Sequence, residues 1–207
     1  MNRWLVIAPL NAPIGKGKWV FKPEARRFCS YVESLGGETH LLLFDVNAPI
    51  ADRRYNLMGL AAGRRYEGVA VFCHGWETGL QAGIKRVDWQ QLLSREPGTR
   101  RVVLYACSAG EGPGPGGEYG YADLVRERLH AANYTATVLA HRTKGHATLN
   151  PRWAVFSTEV LDDGGIDLHP NTPEWRKWLK AGQNRFRLAL DPFAYDIPPL
   201  TRPVLIT

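Results

Sequence analysis

The chain has 207 residues, of which 44% are hydrophobic and 22% charged, and it carries a formal charge of +6. That balance excludes a disordered or low-complexity chain and suits a globular domain that buries a substantial core. The positive charge comes as scattered pairs (Arg26-Arg27, Arg53-Arg54, Arg64-Arg65, Arg100-Arg101), which read as a solvated basic surface and do not call for a nucleic-acid partner.

Three cysteines, Cys29, Cys73 and Cys107, are too few and odd in number for a disulfide framework, so a reducing, cytoplasmic setting is expected. The first apolar run, Trp4 to Ala8, suits a strand buried on both faces. Pro9 ends it, which makes it too short for a signal-peptide core or a membrane span, and no membrane partner is expected.

A Gly/Pro/Lys loop follows from Asn11 to Lys22, and helical spacing of Ala25, Phe28, Cys29, Val32 and Leu35 predicts a helix opened by Pro23 and closed by Gly36-Gly37. Leu41 to Val46 reads as a second strand, Asp52 to Ala62 as a helix stopped by Gly63, and Val69 to Cys73 as a third strand. Asp88 is placed to cap a short helix through Trp89, Leu92 and Leu93. Val102 to Ala106 is the fourth strand. The stretch from Gly110 to Gly120 holds six glycines and two prolines, too many for regular structure. Tyr121, Leu124, Val125, Leu129 and Ala132 mark an amphipathic helix, and Thr137 to Ala140 and Trp153 to Phe156 read as two more strands. Thr172-Pro173 opens a last helix carrying Trp175, Trp178 and Leu179, ahead of a Pro-rich tail. The expected fold is α/β, a three-layer α/β/α sandwich with a mostly parallel central sheet of about six strands. Residues 1–207 read as a single domain with a C-terminal extension over about 190–207.

Two of these strands end in reactive side chains. Val69-Ala70-Val71-Phe72-Cys73 runs into His74-Gly75, and Arg101-Val102-Val103-Leu104-Tyr105-Ala106 runs into Cys107-Ser108-Ala109-Gly110. Chemistry in open α/β sheets sits beyond the carboxyl ends of the strands, and a thiol becomes a nucleophile when an imidazole takes its proton. The 33-residue interval allows one crossover between parallel neighbours, so His74 and Cys107 form a candidate dyad. The N–H groups of Gly75 and Cys107 are candidate oxyanion donors.

Phe72-Cys73-His74-Gly75 and Tyr105-Ala106-Cys107-Ser108-Ala109-Gly110 resemble the signature of the caspase-like cysteine peptidases of the clan CD type. That group includes metacaspases, clostripain- and gingipain-like enzymes, and separase-related CHAT domains. The resemblance covers roughly residues 1–160 by segment order and is specific at these two motifs. It implies a caspase-like fold, a peptide or protein substrate, His74 as general base or proton carrier, Cys107 as nucleophile and an oxyanion site near Gly75; no cofactor or metal is expected. Trp76 stands where many relatives carry a small residue, and Tyr105 where metacaspases carry an acidic one that binds a basic side chain.

Trp76, Glu77, Tyr105, Ser108, Glu111 and His141 are candidate substrate contacts, and Glu77, Asp88, Glu111, Glu118 and Asp123 are candidate pocket charges. The glycine-rich loop after Cys107 reads either as a surface connection or as a gate beside the nucleophile. Gly15-Lys16-Gly17-Lys18 lacks the spacing of a phosphate loop. Cys73, His74, Cys107, His141 and His146 lack zinc-ligand spacing, and Cys73 and His74, as strand neighbours, point to opposite faces. Two other readings stand beside the peptidase. Ala106-Cys107-Ser108-Ala109-Gly110 is similar to the serine elbow of α/β-hydrolases, with Ser108 as nucleophile and Asp163 and His169 as partners. A catalytically inactive caspase-like binding module would keep the fold without the chemistry. Assembly state and the residue preferred before the scissile bond stay open.

Overall fold

A computed structural model describes residues 3–11, 13–14, 18–19, 21–114, 117–142, 153–157 and 160–162. In chain order its elements are β1 (Arg3–Pro9), β2 (Pro13–Ile14), β3 (Lys18–Trp19), α1 (Phe21–Ser34), β4 (Glu38–Phe44), α2 (Ile50–Ala61), β5 (Gly68–Phe72), β6 (Gly75–Trp76) and β7 (Gly79–Leu80). They continue with α3 (Trp89–Leu92), β8 (Arg100–Tyr105), α4 (Tyr121–Ala131), β9 (Ala136–His141), β10 (Trp153–Phe156) and β11 (Val160–Asp162). The expected helix from Thr172 and the Pro-rich tail lie outside the described residues.

Seven strands form one sheet in the order β4-β1-β5-β8-β9-β10-β11. The first five are parallel, β10 runs antiparallel to β9, and β11 antiparallel to β10. Each of the six strands expected from the apolar runs is present, and β11 adds a seventh at the edge. The chain leaves β1 for β4, then crosses back over β1 to β5, so the strand order reverses between β1 and β5. In this architecture ligand crevices form where the order reverses, beyond the carboxyl ends of the strands.

Alternation of side chains splits the core into two layers. Trp4, Val6, Ala8, Ala70, Phe72, Val103 and Tyr105 face α1 and pack with its Phe21, Ala25, Phe28 and Val32. Leu5, Ile7, Val69, Val71, Val102 and Leu104 face the other way and pack with residues of α2, α3 and α4. The molecule is therefore an α/β/α sandwich about a mostly parallel sheet. Parallel strands buried on both faces read as continuous apolar runs, which is why they stood out in the sequence.

The helix ends depart from expectation for local reasons. Helix α1 starts at Phe21, because a proline in the first turn removes an N–H that has no helical acceptor anyway. Asp88 precedes α3 but makes no side-chain capping bond. Its fully buried carboxylate instead receives the Arg54 guanidinium at 2.7 and 2.6 Å and the Lys85 N–H at 2.8 Å. That engagement removes it from the candidate pocket charges. No helix among the described residues is long and apolar enough to cross a membrane.

Phe28 is the hub of the α1 layer, edge-on to Trp4 at 5.3 Å, Phe72 at 5.8 Å and Tyr105 at 6.0 Å between ring centroids. Phe28→Ala is expected to destabilise the fold by about 4 kcal/mol through lost burial and the cavity left behind. Urea unfolding of the variant against the parent protein checks this.

Candidate active site

Strands β5 and β8 pair in parallel from Gly68↔Arg101 to Phe72↔Tyr105, a constant offset of 33 residues. Neighbouring strands lie about 4.8 Å apart. Continued by two residues, that register would set His74 level with Cys107. The two chains stay in contact past the last paired residues. A Cβ built on Gly75 would fall 2.7 Å from the Ala106 Cβ and 2.8 Å from the Cys107 carbonyl oxygen. Glycine is required there because the backbones after β5 and β8 touch. The crossover from β5 to β8 thus brings the imidazole-bearing and thiol-bearing turns together at the carboxyl edge.

His74 is half-buried, with its ring edge-on to Phe21 at the start of α1, 5.0 Å between centroids. Burial holds its pKa below the ordinary 6.5, so the neutral imidazole dominates at neutral pH. Its carbonyl oxygen accepts the Gln81 N–H at 2.9 Å, closing the β6–β7 hairpin at its root. This hairpin, which apolar periodicity does not signal because each strand has two residues, directly follows His74. Trp76 on it is 51% exposed, and Glu77 at its turn is also exposed. The Tyr121 N–H donates to the Glu77 carbonyl at 2.7 Å, tying the turn to the start of α4.

Cys107 is half-buried in the turn after β8, while Cys29 and Cys73 are buried. Burial pushes the Cys73 thiol up to about 12 and raises that of Cys29. Cys73 lies on the opposite face of the sheet from Phe72 and donates its S–H to the His74 carbonyl at 3.1 Å. Next to Cys107, Ser108 is half-buried and adopts a left-handed backbone conformation, φ 56°. Such a conformation in a β-carbon-bearing residue marks a tightly constrained turn.

Where it is described, at 110–114 and 117–120, the glycine-rich segment after this turn is packed against its neighbours. The Gly110 N–H donates to the His141 carbonyl at 2.8 Å, and a Cβ on Gly110 would lie 2.7 Å from the Ala140 carbonyl oxygen. Glycine at 110 therefore lets the segment lie against the end of β9. Glu111 is exposed, and the Asp123 carboxylate accepts the Tyr119 N–H at 2.9 Å and pairs with Arg126.

Two expected substrate contacts are corrected. Tyr105 is only 2% exposed, because strand alternation turns it into the α1 layer, where it stacks on Phe72 at 4.3 Å. His141 is 6% exposed, with its ring edge-on to Tyr105 at 5.8 Å. Both rings are buried in the structure and packed against other rings. His146, Asp163 and His169 lie outside the described residues, as does most of the Gly15–Lys18 loop. Among the described residues no three His, Cys, Asp or Glu side chains gather closely enough to hold a metal ion.

Comparison with known proteins adds nothing to this geometry: no family model, curated protein or solved structure matches the chain.

The contrast between the three thiols predicts selective alkylation. Brief treatment with iodoacetamide at neutral pH, read by peptide mass spectrometry, should modify Cys107 well ahead of Cys29 and Cys73. Gly75→Ala should shift the backbone turn against Cys107 and change that alkylation rate by about tenfold or more, since sub-ångström placement governs such chemistry.

Proposed function

We propose that the chain is a caspase-like cysteine peptidase in which His74 and Cys107 form the catalytic dyad. The observation that carries this reading is the β5–β8 register with the Gly75 contact, which makes the imidazole and thiol turns neighbours at the strand ends. The accessibility of Cys107 relative to the other two thiols and the neutral state of His74 support it.

The chemistry follows from these groups. His74 takes the proton of the Cys107 thiol, and Sγ attacks the peptide carbonyl carbon to form a tetrahedral oxyanion. The N–H groups of Gly75 and Cys107 are the candidate donors to that oxygen. As the intermediate collapses the C–N bond breaks, and the imidazolium returns its proton to the departing amine. A water deprotonated by His74 then attacks the thioester, freeing the carboxylic acid and regenerating the thiol. None of these steps calls for a cofactor. The exposed Trp76 and Glu77 on the hairpin, with Ser108 and Glu111 on the opposite turn, flank the place where the peptide would lie.

The serine-hydrolase alternative has one observation in its favour, the left-handed Ser108. An elbow of that type turns from strand directly into helix, whereas here β8 ends at Tyr105 and α4 begins only at Tyr121. The thiol reading is the better supported one.

A fluorogenic peptide library tests it. Cys107→Ala and His74→Ala should each lower kcat/KM by about 10³-fold or more, with Ser108→Ala retaining most activity. Inactivation by Ser108→Ala with Cys107→Ala still active would transfer the reaction to the hydroxyl. Unchanged hydrolysis without Cys107, or none by the parent protein, would remove the peptidase reading.

The pH profile has a defined sign. The base must be neutral, so kcat/KM falls as pH drops through the His74 pKa. Because burial lowers that pKa, the acid limb should lie below pH 6.5. An acid limb above that value would assign it to another group.

A further inference from the structure

Beside the dyad, on the α2/α4 side of the hairpin, lies a cleft of about 650 Å³ that includes neither His74 nor Cys107 among its lining residues. Its walls come from the start of α2, strand β7, the 83–87 segment and the start of α4. They are mostly apolar: Ile50 and Val87 stand at the mouth, 55% and 46% exposed, while Leu80 and Ile84 form the buried floor. Tyr121 closes the bottom, its hydroxyl donating to the Ile84 carbonyl at 2.6 Å and accepting from the Trp89 indole at 3.2 Å.

The charge at this cleft has one sign. Arg54, Lys85 and Arg86 line it, and among the described residues no acidic side chain does. Arg54 is balanced by the buried Asp88 carboxylate, to which it makes two bonds. Lys85 and Arg86 are exposed at the rim, so the net field is positive over an apolar floor. The cleft itself holds three cationic side chains and lacks the long row of cations that a nucleic-acid backbone requires. An apolar hollow with a cationic rim matches a polypeptide segment in which a bulky apolar residue is flanked by Asp or Glu.

We infer that this cleft binds acidic peptide segments, seating an apolar side chain on Leu80 and Ile84 and carboxylates against Lys85 and Arg86. Binding here does not require the Cys107 chemistry, and it brings the bound chain to the hairpin that follows His74. If the dyad cleaves peptides, the cleft selects acidic-apolar sequences for it.

The test uses Cys107→Ala full-length protein, so that hydrolysis cannot consume the ligand. Fluorescence anisotropy compares a labelled peptide of the type Asp-Leu-Glu-Phe-Asp with its neutral counterpart Asn-Leu-Gln-Phe-Asn. The acidic peptide should bind about tenfold more tightly, and its affinity should fall as NaCl rises from about 50 to about 500 mM. Lys85→Glu with Arg86→Glu should abolish the preference, and Ile84→Ala should weaken both peptides. A circular-dichroism melt confirms that each variant is folded, and Val87→Asp at the exposed mouth serves if Ile84→Ala does not fold. Equal binding of the two peptides, no binding of either, or equal displacement of the acidic peptide by a single-stranded oligothymidylate would each overturn the inference. Parent-protein hydrolysis of neutral peptides with no charge preference would overturn the selection role while leaving the dyad intact. Binding without hydrolysis by the parent protein would remove the dyad and leave the cleft.

Discussion

The parallel pairing of β5 with β8 is the constraint on which the rest depends. Five residue pairs hold a fixed offset, and the chain after each strand stays in backbone contact with the other. Strand pairing through main-chain hydrogen bonds is insensitive to what the next residues are. It can therefore carry reactive side chains to the edge and hold them there without using those side chains for stability. The layers beneath do the stabilising. Phe72 and Tyr105, the last paired residues, stack on each other and seat against Phe28, so the final turn of both strands rests on a rigid aromatic floor.

Alternation then decides which thiol is chemically available. Cys73 and Cys107 come from adjacent strand ends, and Cys107 lies near enough to Cys73 to add to the rise in its pKa. Cys73, still following the strand, is driven into the α2/α4 layer and stays protonated. Cys107 has left the strand for a turn and regains partial access to solvent. A small displacement past the strand end separates a buried thiol from one with partial access to solvent.

Much of the fold was legible in the sequence because a sheet covered on both faces writes itself as uninterrupted apolar runs, and all six such runs became strands. The strand-end positions of His74 and Cys107 were legible for the same reason. Their adjacency was not contained in either motif: it needed the crossover that pairs β5 with β8, supported by the strand–helix alternation around it. Other features escaped because they are products of tertiary structure. The partner of Asp88 is Arg54, 34 residues earlier, and nothing local distinguishes that arrangement from a helix cap. Tyr105 and His141 look like polar-tipped residues near a site, but pleat geometry and the aromatic layer withdraw both. The packed state of the glycine-rich segment is equally non-local, since the atoms that forbid a larger side chain at Gly110 belong to β9. The hairpin of β6 and β7 is too short to carry a periodic signal.

That hairpin links the turn that carries Cys107 to the basic cleft. Its root is closed by the Gln81 N–H on the His74 carbonyl, and the Gln81 carbonyl in turn accepts from the Arg53 guanidinium at 2.8 Å. Arg53 also grips the Val46 and Ala48 carbonyls at 2.5 and 2.8 Å, so the loop after β4, the hairpin and α2 are fastened at one cation. The far end of the hairpin is held by the Tyr121 N–H on Glu77. One face of this short element carries Gly75 against Cys107, and its second strand walls the basic cleft. A chain seated in the cleft would press on Gly79 and Leu80, residues joined through two rungs to Gly75 and Trp76. A ligand bound at the cleft would thus have a short covalent and hydrogen-bonded route to the backbone beside the thiol, the kind of rigid connection through which remote contacts position a reacting group.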